Sequence, residues 1–132
     1  MRTEEINNLS GQILDAAIEV HRNLGPGLLE SVYEICLTEE LTERNIKVER
    51  QVNLPITYKG KILSKEFFID LLVENEIIIE LKTVDKILPV HEAQLLTYLK
   101  LADRKLGLLI NFNEALLKNG YRRILNEKLP EI

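Results

Sequence analysis

A chain of 132 residues, 45% hydrophobic and 29% charged, has the size and balance of one soluble globular domain spanning residues 1–132, able to bury a core without disulfides or structural metal. Its single cysteine, Cys36, excludes an intrachain disulfide and fits a reducing, cytoplasmic setting, while the polar start MRTEEINNLS excludes a signal peptide and no apolar run reaches membrane-spanning length. A net charge of −4 argues against a broadly basic surface and leaves local clusters for phosphate, Lys59, Lys61 and Lys65, then Lys118, Arg122 and Arg123.

Apolar residues at Ile6, Leu9, Ile13, Ala17, Val20 and Leu24 recur at spacings of three and four, which predicts a long amphipathic helix from Thr3 to Leu24. Gly25-Pro26-Gly27 stops it. A second helix is expected from Leu28 to Arg44, with Leu29, Val32, Tyr33, Cys36, Leu37 and Leu41 inward and Asn45 as its stop. Ile46 to Tyr58 reads as a strand, with Pro55 marking an edge or a bulge. Lys59-Gly60 turns the chain into a second strand, Ile62 to Val73. Glu74-Asn75-Glu76 turns it again into a third, Ile77 to Thr83. A helix from His91 to Ala102 follows, and then Leu106 to Phe112, apolar enough for a strand buried on both faces. Strand, helix, strand in this order predicts parallel pairing of the third and fourth strands. Asn113 to Asn119 reads as a helical turn and Tyr121 to Leu125 as a last edge strand or helix. The fold class is α/β, a mixed α+β sheet with helices on its faces.

The chemistry concentrates in KEFFIDLLVENEIIIELK, residues 65–82. If Val73 pairs with Ile77, Asp70 lies opposite Glu80 and Phe68 opposite Lys82. Asp70, Glu80 and Lys82 then share one face, with the two carboxylates' Cβ atoms roughly 5 Å apart. Like charges across a ladder are destabilising, and these sit among Phe, Ile and Leu. A divalent cation such as Mg²⁺ or Mn²⁺ accounts for them, since magnesium takes one or two carboxylates plus waters and phosphates. Lys82 is placed to orient or deprotonate a water, or to offset charge on a phosphorane-like transition state. The alternative is a solvated cluster in which Lys82 neutralises Glu80. Glu30, near the start of the second helix, reads by itself as a first-turn acid favoured by exposed N–H groups, although it also flanks the inward stripe. Gln94 and Tyr98 lie on one stripe of the third helix, near the end of the strand that carries Glu80. His91 reads as a surface or capping residue and His21 as structural.

Asp70 followed by Glu80-Leu81-Lys82 after a hairpin resembles the D-(x)n-(D/E)-x-K core of PD-(D/E)XK nucleases. The element order resembles their restriction-endonuclease-like α-β-β-β-α-β core, here with an extra N-terminal helix. Gln94 and Tyr98 resemble the Q-x-x-x-Y element of the RecB-type branch. The run from Gly27 through Glu30 to Tyr33 matches the G-x-x-E-x-x-Y signature of a small bacterial family in this superfamily. The resemblance implies that Asp70 and Glu80 are metal ligands, with the Leu81 carbonyl and Glu30 completing the set. It implies that Lys82 is the catalytic lysine, and that Gln94, Tyr98 and Tyr33 support the site. Ile69 stands where the name-giving proline would be. The implied function is a Mg²⁺- or Mn²⁺-dependent nuclease acting on DNA, with RNA the second choice of substrate and a homodimer left open; Arg122 and Arg123 are expected to bind backbone phosphate. A binding module that keeps the fold without cutting is the alternative.

Overall fold

The structure, a computed structural model, describes residues 1–127. The first apolar stripe forms α1 (Thr3–Leu24), which buries Ile6, Leu9, Ile13, Ala17 and Val20 while Leu24 stays exposed. Gly25 and Gly27 follow with φ of 70° and 96°, the left-handed region that a Cβ disfavours, and the chain doubles back. The second helix, α2 (Glu30–Glu43), starts two residues later than its apolar pattern suggests, with Leu29 in extended conformation as its N-cap residue. Asn45, at φ 60°, ends it as expected; its N–H and that of Ile46 bond back to Thr42 and Leu41.

The inward face of α2 is the expected one at Tyr33, Cys36, Leu37 and Leu41 and differs at Leu29, Val32 and Glu34. Tyr33, Glu34, Leu37 and Leu41 are buried, whereas Leu29 is 74% exposed and Val32 lies at the surface. Both stripes have helical spacing. Tyr33, common to both, stacks on Phe112, ring centres 4.4 Å apart, and the face turns toward Glu34 because that carboxylate finds cationic and amide partners on the sheet.

The sheet has five strands in the order β1 (Val48–Tyr58), β2 (Lys61–Val73), β3 (Ile77–Lys82), β4 (Leu106–Asn111), β5 (Tyr121–Leu125). β3 and β4 are parallel, joined through α3 (Pro89–Ala102), and the other neighbours are antiparallel. β1 is an edge strand whose register slips between Pro55 and Thr57, and Tyr121 to Leu125 is strand rather than helix. Proline at the first position starts α3 before His91, and the His91 ring accepts the Leu88 N–H at 2.9 Å, a capping role. The 113–119 segment is a turn that leads into a short 3-10 turn, Leu117–Gly120.

α1 and α2 cover one face of the sheet, over Leu71, Val73, Ile77, Ile79, Leu81, Leu108 and Ile110. α3 covers the other, over Ile69, Leu72, Ile78 and Leu109. A Cβ on Gly107 would come within 2.9 Å of Leu95, so this glycine is what lets α3 lie close to β4. Each fully buried Leu or Ile here contributes about 1.5–3 kcal/mol, which is why Ile77, Ile78, Ile79 and Leu81 anchor the centre of the sheet.

Candidate functional site

The site forms where the sheet gives way. Val73 pairs with Ile77 as expected, but the β2–β3 ladder stops at Leu71 and Ile79. One step further, side chains take over from the backbone. The Asp70 N–H donates to Glu80 Oε2 at 2.8 Å, and the Leu81 N–H donates to Asp70 Oδ2 at 2.9 Å. Each carboxylate is thus fixed by a main-chain donor on the opposite strand, with its second oxygen left to other partners. Phe68 does not face Lys82: it pairs with Asn53 of β1 and is half exposed.

Asp70 is also a point where the strands turn over. The β1–β2 register is the same at Arg50–Leu71 and at Val52–Ile69, yet Gln51 and Asp70 between them leave the ladder, Gln51 with φ 50°. Before this point Val48, Leu71 and Val73 pack beneath α1 and α2; beyond it Val52, Leu54, Phe67 and Ile69 pack beneath α3. Strict alternation would keep one parity on one face, so both strands change face together here. Glu80 and Lys82, two residues apart on β3, share the α3 side with Ile78. Asp70 sits at the crossover between the two layers.

Burial raises the Asp70 carboxyl above its usual range. The Leu81 N–H opposes this, Glu34 and Glu30 add to it, and the Gln51 amide opposes it weakly. Glu80 is pushed up to about 8, first by burial and then by Asp70, with the Asp70 N–H and Lys82 offsetting part of the rise. Both shifts run toward the protonated carboxyl. Tyr98 belongs to the same environment: its hydroxyl is raised by burial and by the fields of Glu80 and Asp70, and its ring lies 5.0 Å from Phe67.

Two helical acids approach from α2. Glu30 is exposed and accepts the Thr83 N–H at 3.3 Å, just past the end of β3. It acts on Asp70 and Glu80 through its charge. Glu34 is buried; Gln51 Nε2 donates to it at 2.6 Å and Arg50 Nε at 3.1 Å. Gln51 Nε2 also reaches Asp70 Oδ1 at 3.4 Å, which links the helix to the site.

The donor set fits a hard divalent ion in one particular way. Among the described residues no three His, Cys, Asp or Glu side chains converge as a metal-binding group. Two carboxylates do meet, and the Leu81 carbonyl leaves β3 on the same side as its N–H, toward Asp70, because both groups of a strand residue point one way. Two carboxylates with waters and substrate phosphate are what magnesium ordinarily takes.

A profile of the PD-(D/E)XK nuclease superfamily matches residues 7–124. The chain belongs to this superfamily. Its fold is also similar to that of a solved structure described as "Crystal structure of SSO0001", at 25% identity and a TM-score of 0.53. That match covers 73% of this chain and 50% of the other, so this chain aligns with about half the length of the solved one. The curated proteins contain no match. The mixed five-stranded sheet with helices on both faces is consistent with the restriction-endonuclease-like fold of the superfamily.

Of the other expected residues, Tyr33 is fully buried below the α1–α2 connection. Its hydroxyl donates to the Gly25 carbonyl at 2.6 Å and accepts the Leu28 N–H at 3.2 Å, which sets the start of α2 and so the place of Glu30. Gln94 lies exposed one turn before Tyr98. Arg122 and Arg123, adjacent on β5, have different partners. Adjacent strand residues point to opposite faces, and Arg123 is tied to α1 through Ser10 Oγ at 2.6 Å and Asn7 Oδ1 at 3.0 Å. Arg122 donates to the Asn119 and Tyr121 carbonyls.

Glu34, Gln51 and Asn111 escaped the sequence reading. Asn111 is wholly buried beside Lys82, and its amide clasps both the N–H and the carbonyl of Val84, which fixes the chain leaving β3. Glu34 stands four residues after Glu30, and that spacing was the available signal. For Gln51 there was none, because its role comes from a backbone irregularity.

Proposed function

We propose that this protein is a Mg²⁺- or Mn²⁺-dependent phosphodiesterase acting on DNA. The observation that carries the reading is the cross-bonded pair of Asp70 and Glu80, raised in pKa, at the opening of β2 from β3. A pair of acids held this firmly, and left to take up a proton, suits a cation better than it suits stability. Asp70, Glu80 and the Leu81 carbonyl are the residues to hold the ion. When bound, the metal would neutralise charge on the scissile phosphate and lower the pKa of the attacking water. Lys82, on the face of Glu80, supplies an ammonium to the charge that develops on the phosphoryl oxygens. Tyr98 and Phe67 wall the site on the α3 side. Gly27, Glu30 and Tyr33 act as one unit, a turn, an acid and the hydroxyl that fixes the turn, and this supports placing the chain in the G-x-x-E-x-x-Y family.

Purified protein is expected to nick plasmid DNA with Mg²⁺ or Mn²⁺ and not with EDTA, and Lys82→Ala is expected to remove that activity while leaving the melting curve in place. Cleavage at an unchanged rate by Lys82→Ala would overturn the assignment. A second reading, binding without cleavage, is favoured by the exposed position of Glu30 and by the lack, among the described residues, of a third acidic side chain converging on the pair; DNA binding with no cleavage under any metal would select it.

A further inference from the structure

β2 outruns its neighbour on one side. Its pairing with β3 ends at Leu71, whereas its pairing with β1 continues to Tyr58 and Lys61, so residues 61–70 of β2 are flanked by β1 alone. The base of this two-stranded ribbon rests on α3 through Leu54 and Phe67. From residue 61 to residue 66 every side chain is exposed. Lys59 and Gly60 form the tip, at φ 51° and 79°, the two left-handed positions of a tight hairpin turn.

The cations on this ribbon gather toward its tip. β2 carries Lys61 and Lys65 there, with residues 63–65 lying where the register slips and the ladder is interrupted. Tyr58, directly across from Lys61, joins them, and the Lys59 ammonium lies 5.5 Å from the Tyr58 ring centre. Glu66, nearer the base, is bonded to Asn53. The outer part of β2 from Lys61 to Lys65 thus carries two exposed lysines beside an aromatic ring and no carboxylate, in a protein whose net charge is −4. At about 3.3 Å per residue, Lys65 lies roughly 17 Å and Lys61 roughly 30 Å along the strand from Asp70.

From this we infer that the β1–β2 ribbon is the substrate arm of the site: Lys61 and Lys65 contact backbone phosphates of the DNA strand on one side of the scissile bond. The inference rests on the nuclease reading above and adds to it where the flanking DNA lies. A ribbon of this width enters a major groove or lies along a backbone. The ordered spacing of its cations away from the acids suits a polyanion that runs outward from them.

The test is the salt dependence of DNA binding, measured by fluorescence anisotropy with Mn²⁺ in a Lys82→Ala background, with cleavage by the otherwise unaltered protein followed in parallel. Lys61→Gln and Lys65→Gln are each expected to lower the slope of log K against log salt by about 0.9 on duplex, or about 0.7 on single-stranded DNA. Lys118→Gln, an equal loss of charge near α1, is expected to leave it unchanged. On a duplex of about 8 base pairs, some 27 Å long, the Lys61 effect should vanish. Binding with an unaltered slope in both ribbon variants overturns the arm and leaves the nuclease reading standing if the parent cleaves. Altered slopes without cleavage by the parent support the arm and overturn the nuclease reading. No binding at all overturns both.

Discussion

Replacing Glu80 by glutamine keeps the shape of the side chain and the acceptor for the Asp70 N–H, and removes only the ability to carry charge. In the metal-free protein the folded Glu80 has a pKa of about 8 against an ordinary 4.5, so between those values the native state holds a proton that the unfolded chain has released. Stability from this group is therefore complete below about pH 4.5 and falls as pH rises, by one factor of ten in the folding equilibrium per pH unit, until it levels off above about pH 8. The whole descent is worth about 5 kcal/mol, an upper figure because water entry and side-chain relaxation soften it. Asp70, raised in the same direction, steepens it. Urea unfolding in EDTA from pH 5 to pH 9 should show the parent losing stability relative to Glu80→Gln, with the two close to equal at the acid end. Added Mn²⁺ should raise the parent most at alkaline pH, where the proton no longer competes, and should do less for the variant. Parallel stability curves for the two proteins, or a parent more stable than the variant at pH 9 in EDTA, would refute the account. The acids would then be an ordinary salt-compensated cluster.

Glu30→Gln should retain an acceptor for the Thr83 N–H and weaken Mn²⁺ binding by less than about tenfold, since an exposed charge is partly screened; a hundredfold loss in a calorimetric titration would make it a ligand. Arg123→Ala should cost about 1–2 kcal/mol in denaturant melts by releasing Ser10 and Asn7 of α1, and should leave the salt slope of DNA binding unaltered. A slope lower by about 0.9 would return it to the DNA footprint. Tyr33→Phe strands the Leu28 N–H and the Gly25 carbonyl, and a loss of about 1–3 kcal/mol is expected by the same melts; a neutral outcome would show that solvent replaces the hydroxyl freely.

Much of this protein is legible in its residue order because the signals are local. The period of α1, the stop at Gly25-Pro26-Gly27, the turns at Lys59-Gly60 and Glu74-Asn75-Glu76 and the buried run of β4 each depend on neighbours a few residues away. Asp70, Glu80 and Lys82 could be brought together from the hairpin alone, since Val73 and Ile77 set their register. What lay beyond reach was decided by partners far along the chain. α2 has a second stripe of helical spacing, and its own sequence cannot say that Arg50 and Gln51 will hold Glu34 at the sheet while Leu29 and Val32 stay outside. Arg122 and Arg123 look like a cationic pair until the alternation of β5 separates them and α1 takes one. The crossover at Gln51 and Asp70 is decided in the same way. A regular ladder would have set Asp70 squarely opposite Glu80, but the strands open there and both change face, so each carboxylate bonds to the other strand's backbone. Periodicity describes what each strand or helix can bury. Only the packing of one element on another decides which face it does bury and where the ladder breaks to leave two acids side by side.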